Sequence, residues 1–178
     1  MTVVTSLPQF PWMSLVIMLP LGGALLCLLH GKRPADCRGL ALAAALATFG
    51  IALYLFVCHG QGSDRWLLYE DLSWIPAYGI RYALAMDGIA LLMVLLTAFM
   101  QIAAILLAWR VERHVGSFFA LLLLLQSGLM GIFLAYDLVL FYLFWEVALI
   151  PMFFLISVWG GEQRRRAALK FFLYTLVG

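Results

Sequence analysis

The residue with the clearest chemical potential is Glu146, an acid inside the apolar run LVLFYLFWEVALIPMFFLISVWGG. From Leu138 to Val158 this run is about 21 residues long, enough for a helix to cross a hydrocarbon core of roughly 30 Å. Glu146 is the only Asp, Glu, Lys, Arg or His within it. Because a charged group at that depth costs about 2.5–3.5 kcal/mol on insertion scales, the position predicts a function in proton or ion transfer.

The residues around Glu146 on a helix support that chemistry. Pro151 has no backbone N–H, so the carbonyl of Val147 loses its helical donor close to the acid. The helical neighbours of the acid offer one hydroxyl and otherwise apolar groups: Tyr142, Leu143, Leu149 and Ile150. Apolar surroundings favour the neutral acid and a nearby cation favours the carboxylate, so alternation between them would move a proton. The alternative is a neutral acid that only fixes helix packing.

The composition indicates a polytopic membrane protein. Hydrophobic residues make up 66% of the chain and charged residues 11%, against about 25% charged in a soluble domain. A net charge of +2 without a basic stripe gives no support for nucleic-acid binding. The three cysteines and three histidines fall in no metal-ligand spacing, and no phosphate loop or haem or iron–sulfur ligand set is present. We therefore expect no metal and no cofactor in this chain.

Apolar segments predict an all-α membrane protein with helices at residues 12–29, 39–57, 88–109, 115–135, 138–158 and 167–178. Asp137 is expected to cap the fifth helix, and a role in proton entry is the alternative. The sixth segment has about 12 residues and a length of about 18 Å, which does not cross a bilayer. We therefore expect five complete spans and the start of a sixth, within a single membrane domain that is the N-terminal piece of a longer protein.

The long connection before the third helix predicts a β-hairpin. Residues 67–75 are strand-like, Pro76 to Gly79 form a turn, and apolar side chains alternate from Ile80 to Met86. The hairpin is expected at the outer membrane surface, anchored by an aromatic belt of Trp66, Tyr69, Trp74, Tyr78 and Tyr82. Ligand binding by the hairpin is the alternative, and anchoring is the interpretation that we favour.

Basic residues predict the orientation, because the 11 lysines and arginines divide nine to two between the sides. The richer side holds Lys32, Arg33, Arg38, Arg110, Arg113, Arg164, Arg165, Arg166 and Lys170, and the other holds Arg65 and Arg81. The positive-inside rule then places the N-terminus outside. The run Arg164 to Arg166 is interpreted as a loop that gives an orientation signal and contacts lipid headgroups.

Other polar residues inside the spans have less defined roles. Lys170 is about 6 Å from the inner end of its helix and Glu146 about 18 Å from the inner end of its own, too far apart for a direct pair. Snorkelling to the inner surface and a place in the ion path both stay open for Lys170. Gln126 and Ser127, in the middle of the fourth helix, can hydrogen-bond between helices or hold water, and packing is the interpretation that we favour.

Three segments carry a family resemblance: WIPAYGIRYALAMDGIALLMVLLT, AYDLVLFYLFWEVALIPMFFLISVWGG and RRAALKFFLYTLVG. They resemble the antiporter-like subunit M (chain 4) family of respiratory complex I, the proton-translocating NADH:quinone oxidoreductase. The strings FWE-x-x-L-x-P-M and WGG…KF-x-LYT are specific to it, and subunits of multisubunit cation/proton antiporters and membrane hydrogenases share the core. The resemblance implies a fourteen-helix bundle with two inverted five-helix repeats, of which this chain is about the first third.

The resemblance also implies a function and a site. Glu146 matches a proton-channel glutamate that pairs with a lysine on a seventh helix, which is absent here, and Lys170 matches a helix-six lysine of less defined role. The implied protein is a membrane-arm proton-translocating subunit, located in a bacterial inner membrane with the N-terminus on the periplasmic side. Its partners would be other membrane-arm subunits, including neighbouring antiporter-like ones, and lipid. NADH, FMN, iron–sulfur clusters and quinone belong to partner subunits.

Two other functions remain open at this stage. The chain could belong to a cation/proton antiporter or membrane hydrogenase, or it could be a structural membrane scaffold whose acid only fixes packing. The implied proton path includes broken helices that residues 1–178 do not contain. A polypeptide of this length is therefore not expected to pump.

Overall fold

The structure is a computed structural model that describes residues 10–29, 34–59 and 67–177. Six α-helices and one β-hairpin follow in chain order: α1 (Trp12–Leu29), α2 (Pro34–His59), β1 (Leu68–Ile75), β2 (Ile80–Met86), α3 (Gly88–Leu107), α4 (Val115–Leu134), α5 (Leu138–Trp159) and α6 (Arg164–Val177). Five of these helices, α1 to α5, are long and apolar enough to cross a membrane. The predicted all-α membrane fold with a hairpin between its second and third helices is confirmed.

The helices end at somewhat different residues from those that the apolar segments predict. Helix α2 begins at Pro34 rather than residue 39, since proline suits the first turn of a helix, where no backbone N–H is needed. Helix α6 begins at Arg164 rather than residue 167. The arginine run is therefore helical, and the expectation that it forms a loop is wrong. Arginine is a strong helix former although it lowers hydropathy, so hydropathy alone places the start of α6 too late.

Helix α4 is the centre of the bundle, because α1, α2, α3 and α5 all pack against it, and α6 packs against α5. Two side-chain contacts tie together the end of the bundle that carries the short connections. Arg38 Nη2 donates to the carbonyl of Val111 at 3.0 Å, and Trp159 Nε1 donates to the carbonyl of Arg113 at 2.9 Å. This end, which also carries Arg110 and the first turn of α6, is called the basic end; Lys32, Arg33 and Arg65 lie outside the described residues.

The hairpin packs at the opposite end of the bundle, which we call the hairpin end. Strands β1 and β2 are antiparallel, with Leu68 opposite Met86 and a bulge between Ser73 and Ile75. The second half of β2 is buried, and Leu84 pairs with Ala135 at the end of α4. The open end of the hairpin is therefore part of the bundle core, while its turn is exposed.

The expected aromatic belt is only partly consistent with this packing. Trp74 and Tyr78 are exposed near the turn, and Tyr69 is exposed on β1. Tyr82 instead is half-buried, and its hydroxyl oxygen lies 3.2 Å from Ser14 Oγ of α1. Tyr82 therefore anchors the hairpin to a helix rather than facing the interface, and Trp66 lies outside the described residues.

Aspartate side chains begin two of the spans at the hairpin end. Asp137 Oδ1 accepts hydrogen bonds from the backbone N–H groups of Val139 at 2.9 Å and Leu140 at 3.1 Å, which confirms the predicted cap of α5. Asp87 caps α3 in the same way, accepting from Ala90 at 2.7 Å. Each carboxylate also lies near the positive end of its helix dipole.

Candidate functional site

Glu146 lies deep in α5 and is half-buried. At 1.5 Å per residue it is about 12 Å from the hairpin end of the helix at Leu138 and about 20 Å from the basic end at Trp159. In a helix of 22 residues, this depth corresponds to the hydrocarbon region of a membrane rather than to either interface.

The helix around Glu146 is held tightly against α4. A Cβ added to Gly128 would lie 2.9 Å from Ala148 Cβ, and one added to Gly131 would lie 2.2 Å from the ring of Phe144. Both contacts are too close for any side chain larger than hydrogen, so glycine is what allows the two backbones to approach. Because Phe144 and Ala148 flank the acid in sequence, the α4 contact fixes the backbone on both sides of Glu146.

Two groups near Glu146 can take part in proton chemistry. The Tyr142 hydroxyl, one helical turn before the acid, is within hydrogen-bonding reach of its carboxyl group. Pro151 is buried within α5, and its missing N–H leaves the Val147 carbonyl without a helical donor. In the part of the chain that the structure describes, no basic side chain forms an ion pair with Glu146.

Lys170 and Glu146 lie at different depths, as the sequence predicts. The rings of Phe153 on α5 and Phe172 on α6 are in contact, with centroids 5.5 Å apart, which aligns the two antiparallel helices. From that level, Glu146 is about 10 Å towards the hairpin end and Lys170 about 3 Å towards the basic end. A separation of about 13 Å in depth rules out a direct ion pair in this arrangement.

Gln126 and Ser127 on α4 differ in how their polar groups are paired. Ser127 Oγ donates to the carbonyl of Ile17 on α1 at 2.8 Å, so this side chain makes the expected interhelical hydrogen bond. Gln126 is fully buried, and both polar atoms of its amide have no hydrogen-bond partner among the described residues. The packing interpretation therefore accounts for Ser127 and not for Gln126.

Sequence reasoning missed a polar contact at the start of α1. Glu70 on β1 accepts hydrogen bonds from Met13 N at 2.7 Å, Ser14 N at 3.1 Å and Ser14 Oγ at 2.6 Å. An acid from a strand thus caps a helix that has no acidic residue in its own first turn. Only one hint was present in the sequence, the lack of an acidic residue in the first turn of α1, and nothing in it identified Glu70 as the partner.

Tyr82 completes this contact from the other strand. Its hydroxyl lies beside Ser14, and burial is the main cause that raises the pKa of Tyr82 above its usual value, with the Glu70 charge adding to it. The hydrogen bond with Ser14 acts in the opposite direction. The hairpin and α1 are therefore joined by a small hydrogen-bonded network at the bundle end.

Two of the three cysteines make contacts that join helices, whereas Cys58 is exposed. Cys27 and Cys37 are both buried, and each thiol lies 3.6 Å from the carbonyl oxygen of the other residue, which joins the end of α1 to the start of α2. Among the described residues, no group of three or more His, Cys, Asp and Glu side chains is arranged to hold a metal ion.

Comparison with known sequences gives a consistent family. Residues 135–178 match a family described as NADH:quinone oxidoreductase/Mrp antiporter, transmembrane. The chain is 41% identical to NAD(P)H-quinone oxidoreductase chain 4 2 of Thermosynechococcus vestitus, covering 96% of this chain and 32% of that protein. It is 39% identical to the chloroplastic NAD(P)H-quinone oxidoreductase chain 4 of Chlorokybus atmophyticus, covering 96% of this chain and 34% of that protein. The chain thus spans about a third of the length of these relatives.

Comparison with solved structures agrees. A chain of respiratory complex I from Thermus thermophilus with bound NADH is 35% identical, with a TM-score of 0.80 over 93% of this chain and 33% of its own length. A chain of the Mrp complex from Dietzia is 22% identical, with a TM-score of 0.76 over 93% of this chain and 18% of its own length. That chain shares the fold. The chain is therefore a homologue of the antiporter-like chain 4 proteins of NAD(P)H:quinone oxidoreductase, and it matches about a third of their length.

Proposed function

We propose that this chain acts in the membrane arm of a proton-translocating NAD(P)H:quinone oxidoreductase, with Glu146 as the group that takes up and releases protons. The observation that carries the proposal is the depth of Glu146, which lies about 12 Å from the nearer end of α5 beside a break in helical hydrogen bonding. Acids at such depth are costly and usually serve proton or ion movement. The chain 4 relatives support the assignment to the oxidoreductase.

The mechanism rests on a change in what surrounds the carboxyl group. The apolar face of α5 favours the neutral acid, and a cation brought near it favours the carboxylate, so movement of a cation would drive proton uptake and release. The Tyr142 hydroxyl can hydrogen-bond either form, and the free Val147 carbonyl can hold a water molecule next to it. No basic side chain among the described residues pairs with Glu146, so under this proposal another part of the assembly would bring the cation.

Lys170 has a secondary role in this proposal. It is exposed on α6 and lies about 13 Å closer to the basic end than Glu146, which suits a group that exchanges protons or ions between the inner surface and the deeper site. Contact with lipid headgroups by snorkelling is the alternative role. Lys170→Met separates the two roles. Loss of a group in the ion path should lower turnover, whereas loss of a lipid contact should change only membrane association.

The reactions of NADH and quinone take place elsewhere in the assembly under this proposal. FMN and iron–sulfur clusters, together with the NADH and quinone sites, would belong to partner subunits, and neighbouring antiporter-like subunits and lipid would surround this chain. The protein would be a multi-pass component of a bacterial inner membrane. Its N-terminus would face the periplasm, because the described arginines cluster at the end of the bundle opposite the hairpin, with Arg81 of β2 the exception.

A subunit of a cation/proton antiporter is the second candidate. The matched family is described for both the oxidoreductase and the Mrp antiporter, and the Dietzia Mrp complex supports the shared fold. A structural scaffold is the third, in which Glu146 is a neutral hydrogen-bonded acid. Coupling of ion movement to NADH oxidation would favour the first candidate over both.

The test is Glu146→Gln in the assembled complex, with NADH-driven proton uptake measured in membrane vesicles at matched complex levels. Glutamine keeps the size and the hydrogen bonds but does not titrate, so assembly should survive while proton uptake falls. Glu146→Asp should retain part of the uptake because it still titrates. Glu162→Gln is the matched control, since it removes the same charge from an exposed position between α5 and α6. Normal uptake by Glu146→Gln would overturn the proposed role.

A further inference from the structure

A layer of polar side chains divides the buried core of the bundle into two parts. Towards the hairpin end, one apolar cluster includes Ala52, Ala98 and Met130, and towards the basic end a second includes Ala45, Ile105 and Leu123. Between these residues, on three different helices, lie four buried side chains that we call the mid-bundle polar layer: Thr48, Gln101, Gln126 and Ser127. On each of the helices α2, α3 and α4, a polar residue of this layer therefore lies between the two apolar clusters.

Contacts between helices place the members of the layer at one depth. Gly23 of α1 faces Ala44 of α2 and Leu123 of α4, so these three residues lie at about the same depth along the bundle axis. Thr48, Gln126 and Ser127 each lie about one helical turn from that level towards the hairpin end. On α3, the contact between the rings of Phe49 and Phe99, with centroids 6.3 Å apart, brings Gln101 to nearly the same depth.

The hydrogen-bonding capacity of the layer is only partly used. Thr48 Oγ1 donates to the carbonyl of Ala44 at 2.9 Å, and Ser127 is bonded to α1. By contrast, Gln126 is 0% exposed and Gln101 7% exposed, and three of their amide atoms have no partner among the described residues: Gln101 Nε2, Gln126 Nε2 and Gln126 Oε1. Buried polar groups of this kind are nearly always bonded to protein or to ordered water.

We propose that the mid-bundle polar layer is a binding site for internal water, with at least one molecule bonded to Gln126. The unpaired atoms of Gln126 include both a donor and an acceptor, and water can satisfy both at once. A cation would satisfy only Oε1 and would be repelled by the two amide nitrogens. The Val16 carbonyl, which lacks a helical donor because of Pro20, is an additional acceptor near this depth.

This water site is separate from the acid on α5. Gly128 faces Ala148 of α5, and Gln126 precedes Gly128 by two positions, or about 200° around the helix axis. Gln126 therefore lies on the side of α4 away from α5, although its depth is within about 6 Å of that of Glu146. The site sits among helices α1 to α4 and does not depend on the role proposed for Glu146.

The direct test is a density map of the protein in its native membrane assembly, at a resolution that shows ordered water. We expect density within hydrogen-bonding distance of the Gln126 amide, and we expect it to be lost in Gln126→Met. A map that shows a dry layer, or the two glutamines bonded only to each other, would overturn the proposal.

Thermal unfolding gives an independent readout with a matched control. In a dry layer, Gln126→Met would remove two buried unpaired atoms and should raise Tm by several degrees. In a hydrated layer the same change removes satisfied groups, so Tm should stay the same or fall. Leu123→Met is the control, because it is an equally buried, volume-conserving change one turn away on α4. A rise in Tm for Gln126→Met beyond that of the control would contradict the water site.

Discussion

The cap that Glu70 provides for α1 leads to a quantitative prediction about stability. Its carboxylate accepts three hydrogen bonds, two of them from backbone N–H groups that the helix itself cannot satisfy. Hydrogen bonds to charged groups contribute about 1.5–3 kcal/mol each, and loss of a helix cap costs about 0.5–2 kcal/mol. Because the site is only partly buried, water replaces some of what is lost. We therefore expect Glu70→Ala to cost about 3 kcal/mol.

For a protein of this size, that cost corresponds to a fall in Tm of about 6–12 °C. Glu70→Gln keeps one acceptor oxygen and should show roughly half the effect. Thermal unfolding of the purified protein in detergent measures both. Glu112→Ala, an equal loss of charge at an exposed position between α3 and α4, is the control and should change Tm by no more than a degree or two. A Tm for Glu70→Ala equal to that of Glu112→Ala would refute the capping role.

Three further outcomes are expected. Gly131→Ala should destabilise the protein by about 1–3 kcal/mol, because its Cβ would lie 2.2 Å from the Phe144 ring, whereas Gly50→Ala, with open space around it, should not destabilise; chemical denaturation compares the two. A reporter fused after Arg113 should read cytoplasmic, and a periplasmic signal there would reverse the proposed orientation. Because burial raises the pKa of Tyr82, its contribution to stability is present below about pH 10 and is lost as the pH rises through the folded-state pKa; Tyr82→Phe should weaken this alkaline dependence in pH-resolved unfolding.

Local patterns in the sequence were enough to predict the hairpin and the five spans. Alternating side chains and a Pro-to-Gly turn have only one regular interpretation, and Asp137 could be identified as a cap because it lies directly before an apolar run. Glu146 stood out for a similar reason, since one acid in a run of apolar residues is visible without any knowledge of packing. The start of α6 was misplaced because hydropathy does not report helix propensity.

Other features depend on contacts between distant parts of the chain. Glu70 and Met13 are 57 positions apart, and no local pattern indicates that a strand acid will cap a helix so far away in sequence. Gln126 was recognised as a mid-span polar residue, but its common depth with Gln101 follows from how α2, α3 and α4 are shifted along one another. That shift is set by close contacts such as Gly23 against Ala44, which become visible only in three dimensions.

The packing of α5 has a mechanical consequence. Its first half is held by Gly128 and Gly131 of α4, and its last residue, Trp159, is bonded to the connection between α3 and α4. A helix that is clamped at both ends bends at its weakest point, and that point is the hydrogen bond missing before Pro151. A displacement applied to the basic end of α5 would therefore be concentrated as a bend within one turn of Glu146, so that force from a neighbouring element acts next to the buried acid.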